Sequence, residues 1–157
     1  VKNIKLTQGK FAIVDDADYV WLNQWKWCAY KPPTGGFYAK RKGSGRTILM
    51  HRQILGLGPG DKRQGDHIFH NTLDNRRNNL RICTGQENQR NRKPRSNTTS
   101  GYKGVSWHNR IKKWQVHIQV NRRRKHLGYF VLELDAALAY NKAAKELYGV
   151  FVYLNPV

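Results

Sequence analysis

The sequence predicts an α+β protein built from two small modules. One is a β-rich N-terminal region that runs into a short strand–loop–strand–helix unit; the other is a three-stranded antiparallel sheet packed on a single helix. Three observations predict this. Residues 3–50 carry short apolar runs cut by Pro and Gly, residues 114–120 alternate strictly between apolar and polar, and residues 133–148 place apolar groups at helical spacing. At 157 residues and 18.3 kDa the chain has room for one ordinary domain or two small ones. It is too short for a barrel enzyme or a full dinucleotide-binding oxidoreductase.

In the N-terminal region the strand candidates are residues 11–14 (Phe-Ala-Ile-Val), 26–30, 37–40 and 47–50, with Pro32, Pro33, Gly35 and Gly36 as breakers. A short helix is expected over 18–24, where Tyr19, Leu22 and Trp25 recur at helical spacing. A second is expected over 51–57, closed by Gly58-Pro59-Gly60. Trp21, Trp25, Trp27 and Tyr30 read as a small core rather than as a platform for unpaired bases. Cys28 and Cys83 read as small buried fillers. With no C-x-x-C pair, two cysteines support neither a Cys-rich zinc site nor a disulfide framework, so zinc is not expected.

Downstream, Trp114, Val116, Ile118 and Val120 fall on one face of a strand, and Gln115, His117 and Gln119 on the other. Flanking strands are expected at 104–108 and 126–130. The helix over 133–148 is expected to bury a stripe of Leu134, Ala137, Leu138, Ala144, Leu147 and Tyr148 and to stop at Gly149. Between the modules, residues 89–101 contain no large apolar side chain. The expected organisation is residues 1–92, a basic linker at 93–100, and residues 101–157.

Charge narrows the class of partner. The chain carries 29 Lys plus Arg against 10 Asp plus Glu, a net charge of +19. The excess is spread as +7, +5 and +7 over residues 1–60, 61–100 and 101–157, so the whole molecule would face a polyanion. Nucleic acid is the first partner to expect. No apolar run reaches the roughly 18 residues of a membrane span and no basic amphipathic helix is evident, which argues against a membrane partner. Without a secretion signal the Asn97-Thr98-Thr99 sequon carries little weight. The expected location is intracellular, cytoplasmic or nucleoid-associated in a bacterial or phage-infected cell.

Residues 65–91 read GDHIFHNTLDNRRNNLRICTGQENQRN. Asp66-His67, a turn-rich stretch with Asn71, Asp74 and Asn75, a strand at 80–82 and Glu87-Asn88 can bring Asp66, His67 and Asn88 together. Carboxylate and amide oxygens suit a hard cation such as Mg²⁺. A neutral His can take a proton from an attacking water. Metal plus base is a minimal kit for phosphodiester hydrolysis.

This run resembles the HNH nuclease motif, most nearly that of phage and intron-encoded HNH homing endonucleases, whose site is a ββα-metal fold. The resemblance implies His67 as general base, Asp66 and Asn88 as ligands of one Mg²⁺ or Mn²⁺ per site, and Asn79 as the central Asn that pins the loop and orients the His. His51, His70, Arg81 and Asn91 are expected neighbours of the site. Two departures stand out: Phe69-His70 replaces the usual Asn-Gly, and Gly65 stands where an aliphatic residue is usual.

Residues 100–155 carry a second pattern: Ser100-Gly101-Tyr102-Lys103-Gly104-Val105-Ser106-Trp107, Lys113-Trp114, His126-Leu127-Gly128-Tyr129-Phe130, Ala139-Tyr140-Asn141 and Leu154-Asn155. It resembles the AP2 DNA-binding domain, which lays its sheet in the major groove. The positions this implies for DNA contact are Lys103, Ser106, His108, His117, Gln119, Arg124 and His126, while Lys112, Lys113 and Arg122 with its basic neighbours suit phosphates. Trp107 and Trp114 read as sheet packing. The expectation is a site-specific endonuclease acting on double-stranded DNA, as a monomer or a homodimer. Its rivals are a DNA-binding protein whose HNH module no longer cuts and an RNA-binding protein.

Overall fold

A computed structural model of the protein describes residues 1–33, 35–43, 45–94 and 98–157. The chain divides into two compact units, Val1–Gly85 and Gln86–Val157. The expected boundary lay after residue 92, so the helix before the linker joins the second unit. Residues 95–97, at the centre of the expected linker and including Asn97 of the sequon, lie outside the described residues.

The first unit opens with β1 (Lys2–Lys5), paired antiparallel with β2 (Phe11–Val14), and helix α1 (Asp16–Leu22). β1 is the strand that sequence reading missed. Only Ile4 of its four residues points inward, too short a pattern for alternation to register. α1 begins two residues before the expected start, with Asp16 and Asp18 in a first turn that favours negative charge. β3 (Cys28–Tyr30), β4 (Tyr38–Gly43) and β5 (Arg46–Leu49) form an antiparallel sheet in the order β3-β4-β5. Helix α2 (Met50–Ile54), shorter than the expected 51–57, leads to the hairpin of β6 (Gln64–His67) and β7 (Leu80–Cys83).

Ile4, Val14, Leu22 and Met50 are almost wholly buried and form the core of this unit with Trp27, Ile54 and Leu80. Trp21 and Trp25 pack against that core, as the core reading of the tryptophans expects. Cys83 is buried, but Cys28 is exposed. Strand β3 alternates so that Ala29 takes the inward position and Cys28 the outward one, and the filler reading of Cys28 is therefore corrected.

The second unit contains nearly all of α3 (Gly85–Asn91), then β8 (Val105–His108), β9 (Lys113–Val120), β10 (Arg123–Phe130) and α4 (Glu133–Tyr148). The strands form one antiparallel sheet, β10-β9-β8. Val105, Val116 and Ile118 meet α4 through Ala136, Ala137, Tyr140, Ala144 and Tyr148. Of the expected stripe, Ala137, Ala144 and Tyr148 are buried, but Leu134, Leu138 and Leu147 are corrected to 48%, 49% and 42% exposed. Alanines let the helix approach the sheet closely, and the two tyrosine rings fill what remains. Gly104, at φ +78°, shows how tight the fit is, since a Cβ there would lie 2.2 Å from the Tyr140 ring. Among the described residues no helix is long and apolar enough to cross a membrane.

Candidate active site

His67 closes β6 and is 5% exposed. Its Nε2 lies 3.3 Å from Asn75 Oδ1. The Asn75 amide is oriented by its own Nδ2, which donates to the Leu73 carbonyl at 3.1 Å. Asn75 therefore presents its oxygen to the ring, so Nε2 carries the proton and the lone pair of the neutral imidazole sits on Nδ1. Burial holds the His67 pKa below its ordinary value, with the Asn75 hydrogen bond and the Asp66 and Asp74 charges pulling weakly the other way. A neutral ring at neutral pH follows.

The loop that carries Asn75 is held from two sides. Backbone bonds tie it to β2, with Ile13 N donating to the Leu73 carbonyl and Asn75 N to the Ile13 carbonyl, both at 2.8 Å. Asn79, fully buried, spans the loop from inside. Its Oδ1 accepts from Phe69 N at 2.8 Å, and its Nδ2 donates to the carbonyls of Asp74 at 2.7 Å and Asn71 at 3.2 Å. Asn79 thus pins the loop, while the side chain bonded to His67 is Asn75. Sequence reading placed Asn75 in the motif without assigning it to the site; it is 1% exposed, and its only sequence signal was a turn-forming Asn eight residues after the His.

Asp66 Oδ2 accepts a hydrogen bond from Arg81 Nε at 2.9 Å and forms an ion pair with Arg81 Nη2 at 2.8 Å. The register pairs Asp66 directly with Arg81 across the hairpin. His51, on α2, packs in a T-shaped arrangement with the His67 ring at a centroid distance of 4.9 Å, and the Tyr38 ring centroid stands 5.8 Å from each. Burial, with the neighbouring His67 and Arg52, pushes the His51 pKa down to about 3. Gly65 explains how two imidazoles fit: a Cβ there would lie 2.6 Å from His51 Cδ2 and 3.0 Å from Leu55 Cδ1. The departure from an aliphatic residue makes room for His51. His70 follows in the loop at φ +62°, half-buried, with its N–H donated to the His67 carbonyl at 3.1 Å. Asn88 and the buried Asn91 lie on α3 in the second unit.

A second candidate surface is the face of β9 turned away from α4. Ring contacts run across it from His117 to His126 at 5.0 Å, His126 to Tyr129 at 4.5 Å, and Tyr129 to His108 at 5.5 Å. The register sets Arg124 opposite Gln119, His126 opposite His117 and Ser106 opposite Gln115. Lys112, Lys113, Gln119, Arg122, Arg124 and His126 are exposed, whereas Ser106, His108 and His117 are half-buried. Trp107 and Trp114 pair edge to face at 5.1 Å, and Trp114 packs against the core. Lys103 does not extend from this face: its ammonium donates to backbone carbonyls of Gln89, Arg90 and Arg92.

No family model matches the chain, and no solved structure does. An Acanthamoeba polyphaga mimivirus protein named as an uncharacterized HNH endonuclease is 29% identical over 150 residues, 96% of this chain and 77% of that protein. Escherichia phage T7 Protein 3.8 is 31% identical over 104 residues, 64% of this chain and 85% of that protein. The chain belongs to the family of Protein 3.8.

The match to the mimivirus relative extends over nearly the whole chain, so it is not confined to one motif. In this member of the Protein 3.8 family, His67, Asn75, Asn79, Asp66, Arg81, His51 and Tyr38 all belong to the first unit. The β8–β10 face and α3 belong to the second.

Proposed function

We propose that the protein is a metal-dependent, site-specific DNA endonuclease of the HNH type. The observation that carries this reading is the state of His67: a buried imidazole whose Nε2–H is held by Asn75, leaving Nδ1 as its basic atom. Such a ring accepts a proton from water near neutral pH. Asn79 and the bonds from β2 fix the loop, so the base keeps its tautomer and direction.

Asp66 and Asn88 are the proposed holders of a divalent cation. Their donor chemistry fits a hard ion, which binds through one or two carboxylates and keeps several waters. Two protein donors would leave such an ion most of its waters. Arg81 holds one Asp66 oxygen, so the carboxylate would be shared between ion and guanidinium. A bound Mg²⁺ or Mn²⁺ would supply neutralisation of charge developing on the phosphate and the departing 3′ oxygen. His67 takes the proton of the attacking water, and Arg81 adds a second positive charge beside Asp66. The expected products carry 5′-phosphate and 3′-hydroxyl ends.

The exposed face of β9 and β10 is the proposed reader of duplex DNA. Gln119 and Arg124 suit adenine and guanine edges, and Lys112, Lys113 and Arg122 suit phosphates. The test is incubation of supercoiled plasmid with the protein across a Mg²⁺ series, alongside His67→Ala. Metal-dependent nicking or linearisation by the wild type, lost in the variant, supports the reading. Cleavage of equal rate by both removes His67 as the base and turns attention to His70.

A further inference from the structure

Lys103 stands two residues before β8, at a position that the C-terminal resemblance assigns to DNA contact, yet its ammonium turns to the chain itself. Nζ donates to the carbonyls of Arg90 at 2.6 Å, Arg92 at 2.7 Å and Gln89 at 3.2 Å. These carbonyls lie at the C-terminal end of α3, where helix geometry leaves acceptors without partners inside the helix. A cation there also meets the negative end of the helix dipole. An ammonium has three donors, and the three acceptors match them.

The anchor behind Lys103 is rigid. Its N–H donates to Asn155 Oδ1 at 2.6 Å, and its carbonyl accepts from Asn155 Nδ2 at 3.1 Å. Asn155, 3% exposed, is in turn held by Asn141 of α4 through bonds of 2.7 and 2.9 Å. Tyr153 N donates to the Arg90 carbonyl at 3.1 Å. The end of α3 is therefore tied into the same network that closes α4 against the sheet. Burial and the nearby Arg92 charge lower the Lys103 pKa to about 8, as expected of an ammonium committed to backbone acceptors rather than to solvent.

We propose that Lys103 is a positioning residue that fixes α3, and with it Asn88, to the sheet-and-helix unit. This rests on the nuclease reading, in which Asn88 is one of the two metal donors. Division of the chain after residue 92 would remove the contacts of Lys103 and Tyr153 that hold the end of α3.

The experiment compares full-length wild type with Lys103→Met and Lys103→Arg. The readouts are amide hydrogen exchange along the chain, duplex affinity, and the Mg²⁺ concentration giving half-maximal cleavage. In Lys103→Met, exchange over residues 86–92 should rise about tenfold or more while β9 keeps its protection. Duplex affinity should stay within about threefold, since no phosphate contact is removed. The Mg²⁺ requirement should rise severalfold, and Lys103→Arg should restore part of the protection and part of the metal response.

Unchanged exchange over 86–92 with weakened duplex binding overturns the proposal and makes Lys103 a phosphate contact. If Lys103→Met loses protection throughout the second unit, Lys103→Arg decides. Protection of 86–92 together with a near-normal Mg²⁺ response supports the clamp, whereas lost protection with an unaltered Mg²⁺ response overturns it. A wild type that cuts at no Mg²⁺ concentration removes the nuclease reading and with it the role of Asn88, while exchange over 86–92 still reports whether Lys103 holds the helix.

Discussion

The buried surroundings of His67 and the open face of β9 use the same side chain in opposite settings. His51 and His67 are each 5% exposed and touch ring to ring, and burial holds both below the ordinary histidine pKa. His126 is exposed on a sheet face rich in Arg and Lys, in contact with a half-buried His117. In the first setting an imidazole is kept neutral and oriented by Asn75, which suits proton transfer. In the second it is one of a row of polar groups that a nucleic acid could meet. Residue type alone does not separate the two tasks; desolvation and the hydrogen-bond partner do.

The largest expected effect sets one histidine against the other. His67→Ala should lower plasmid cleavage by about 10²–10⁴-fold and leave duplex affinity within a few-fold, while His126→Ala should weaken binding and spare the rate at saturating protein. Single-turnover cleavage and equilibrium binding on the same duplex measure both. The contrast between the two regions breaks if both variants lose mainly affinity.

The pH dependence of stability sharpens the same contrast. In the unfolded chain His51 binds a proton near its ordinary pKa of 6.5, whereas in the folded protein it does so only near 3. The unfolded state therefore holds more protons between those values, and stability rises with pH through that window. The contribution of the buried ring is complete above pH 6.5 and declines as pH falls toward 3; the downward shift of His67 acts in the same direction. Denaturant unfolding of the wild type should weaken from pH 7 to pH 4, and His51→Phe should flatten that slope. Equal slopes in the two proteins would mean that the imidazole pair is not buried in solution.

Smaller effects come from the backbone of each region. Gly65→Ala drives a methyl into His51 and Leu55 and should destabilise the protein by about 1–3 kcal/mol, read as a lower denaturation midpoint. On the sheet, the turn between β9 and β10 holds Asn121 and Arg122 at φ 48° and 66°, with Val120 paired to Arg123. Two left-handed residues make the type I′ turn that favours Asn-Gly, and Arg stands where Gly fits. Arg122→Gly should stabilise the protein by about 1 kcal/mol and weaken duplex binding at low salt. Loss of stability instead would show that Arg122 is anchored rather than strained.

Much of this organisation was legible in the residues. Strict alternation at 114–120 announced β9 and its buried face, because period two leaves no other element that hides Val116 and Ile118 together. For α4 the bounds and the burial of Ala137, Ala144 and Tyr148 were legible, but the burial of Leu134, Leu138 and Leu147 was misread, since helical periodicity gives a face but not the depth of its contact. Alanines and tyrosines, not leucines, fit a sheet this close. In the candidate site, Asp66 and His67 were visible in the residues, and Asn79 through the resemblance to the HNH motif. Asn75 and Tyr38 were not, because their roles arise from a loop pinned to β2 and from a strand distant in sequence. Lys103 was the strongest divergence: the resemblance to the AP2 domain places it among the DNA contacts, whereas the fold brings three carbonyls to its ammonium.

The proposed nuclease reading rests on a buried, neutral His67 as the base. Cleavage of one end-labelled duplex, selected by the protein from a random library, tests this most directly. Wild type and His67→Ala are compared with Mg²⁺ and with chelator, with binding recorded in the same samples. Metal-dependent cleavage leaving 5′-phosphate ends is expected in the wild type alone, at equal occupancy of the duplex by both proteins. Full occupancy without cleavage by the wild type at any divalent-ion concentration would contradict it and leave a DNA-binding protein whose HNH module does not cut.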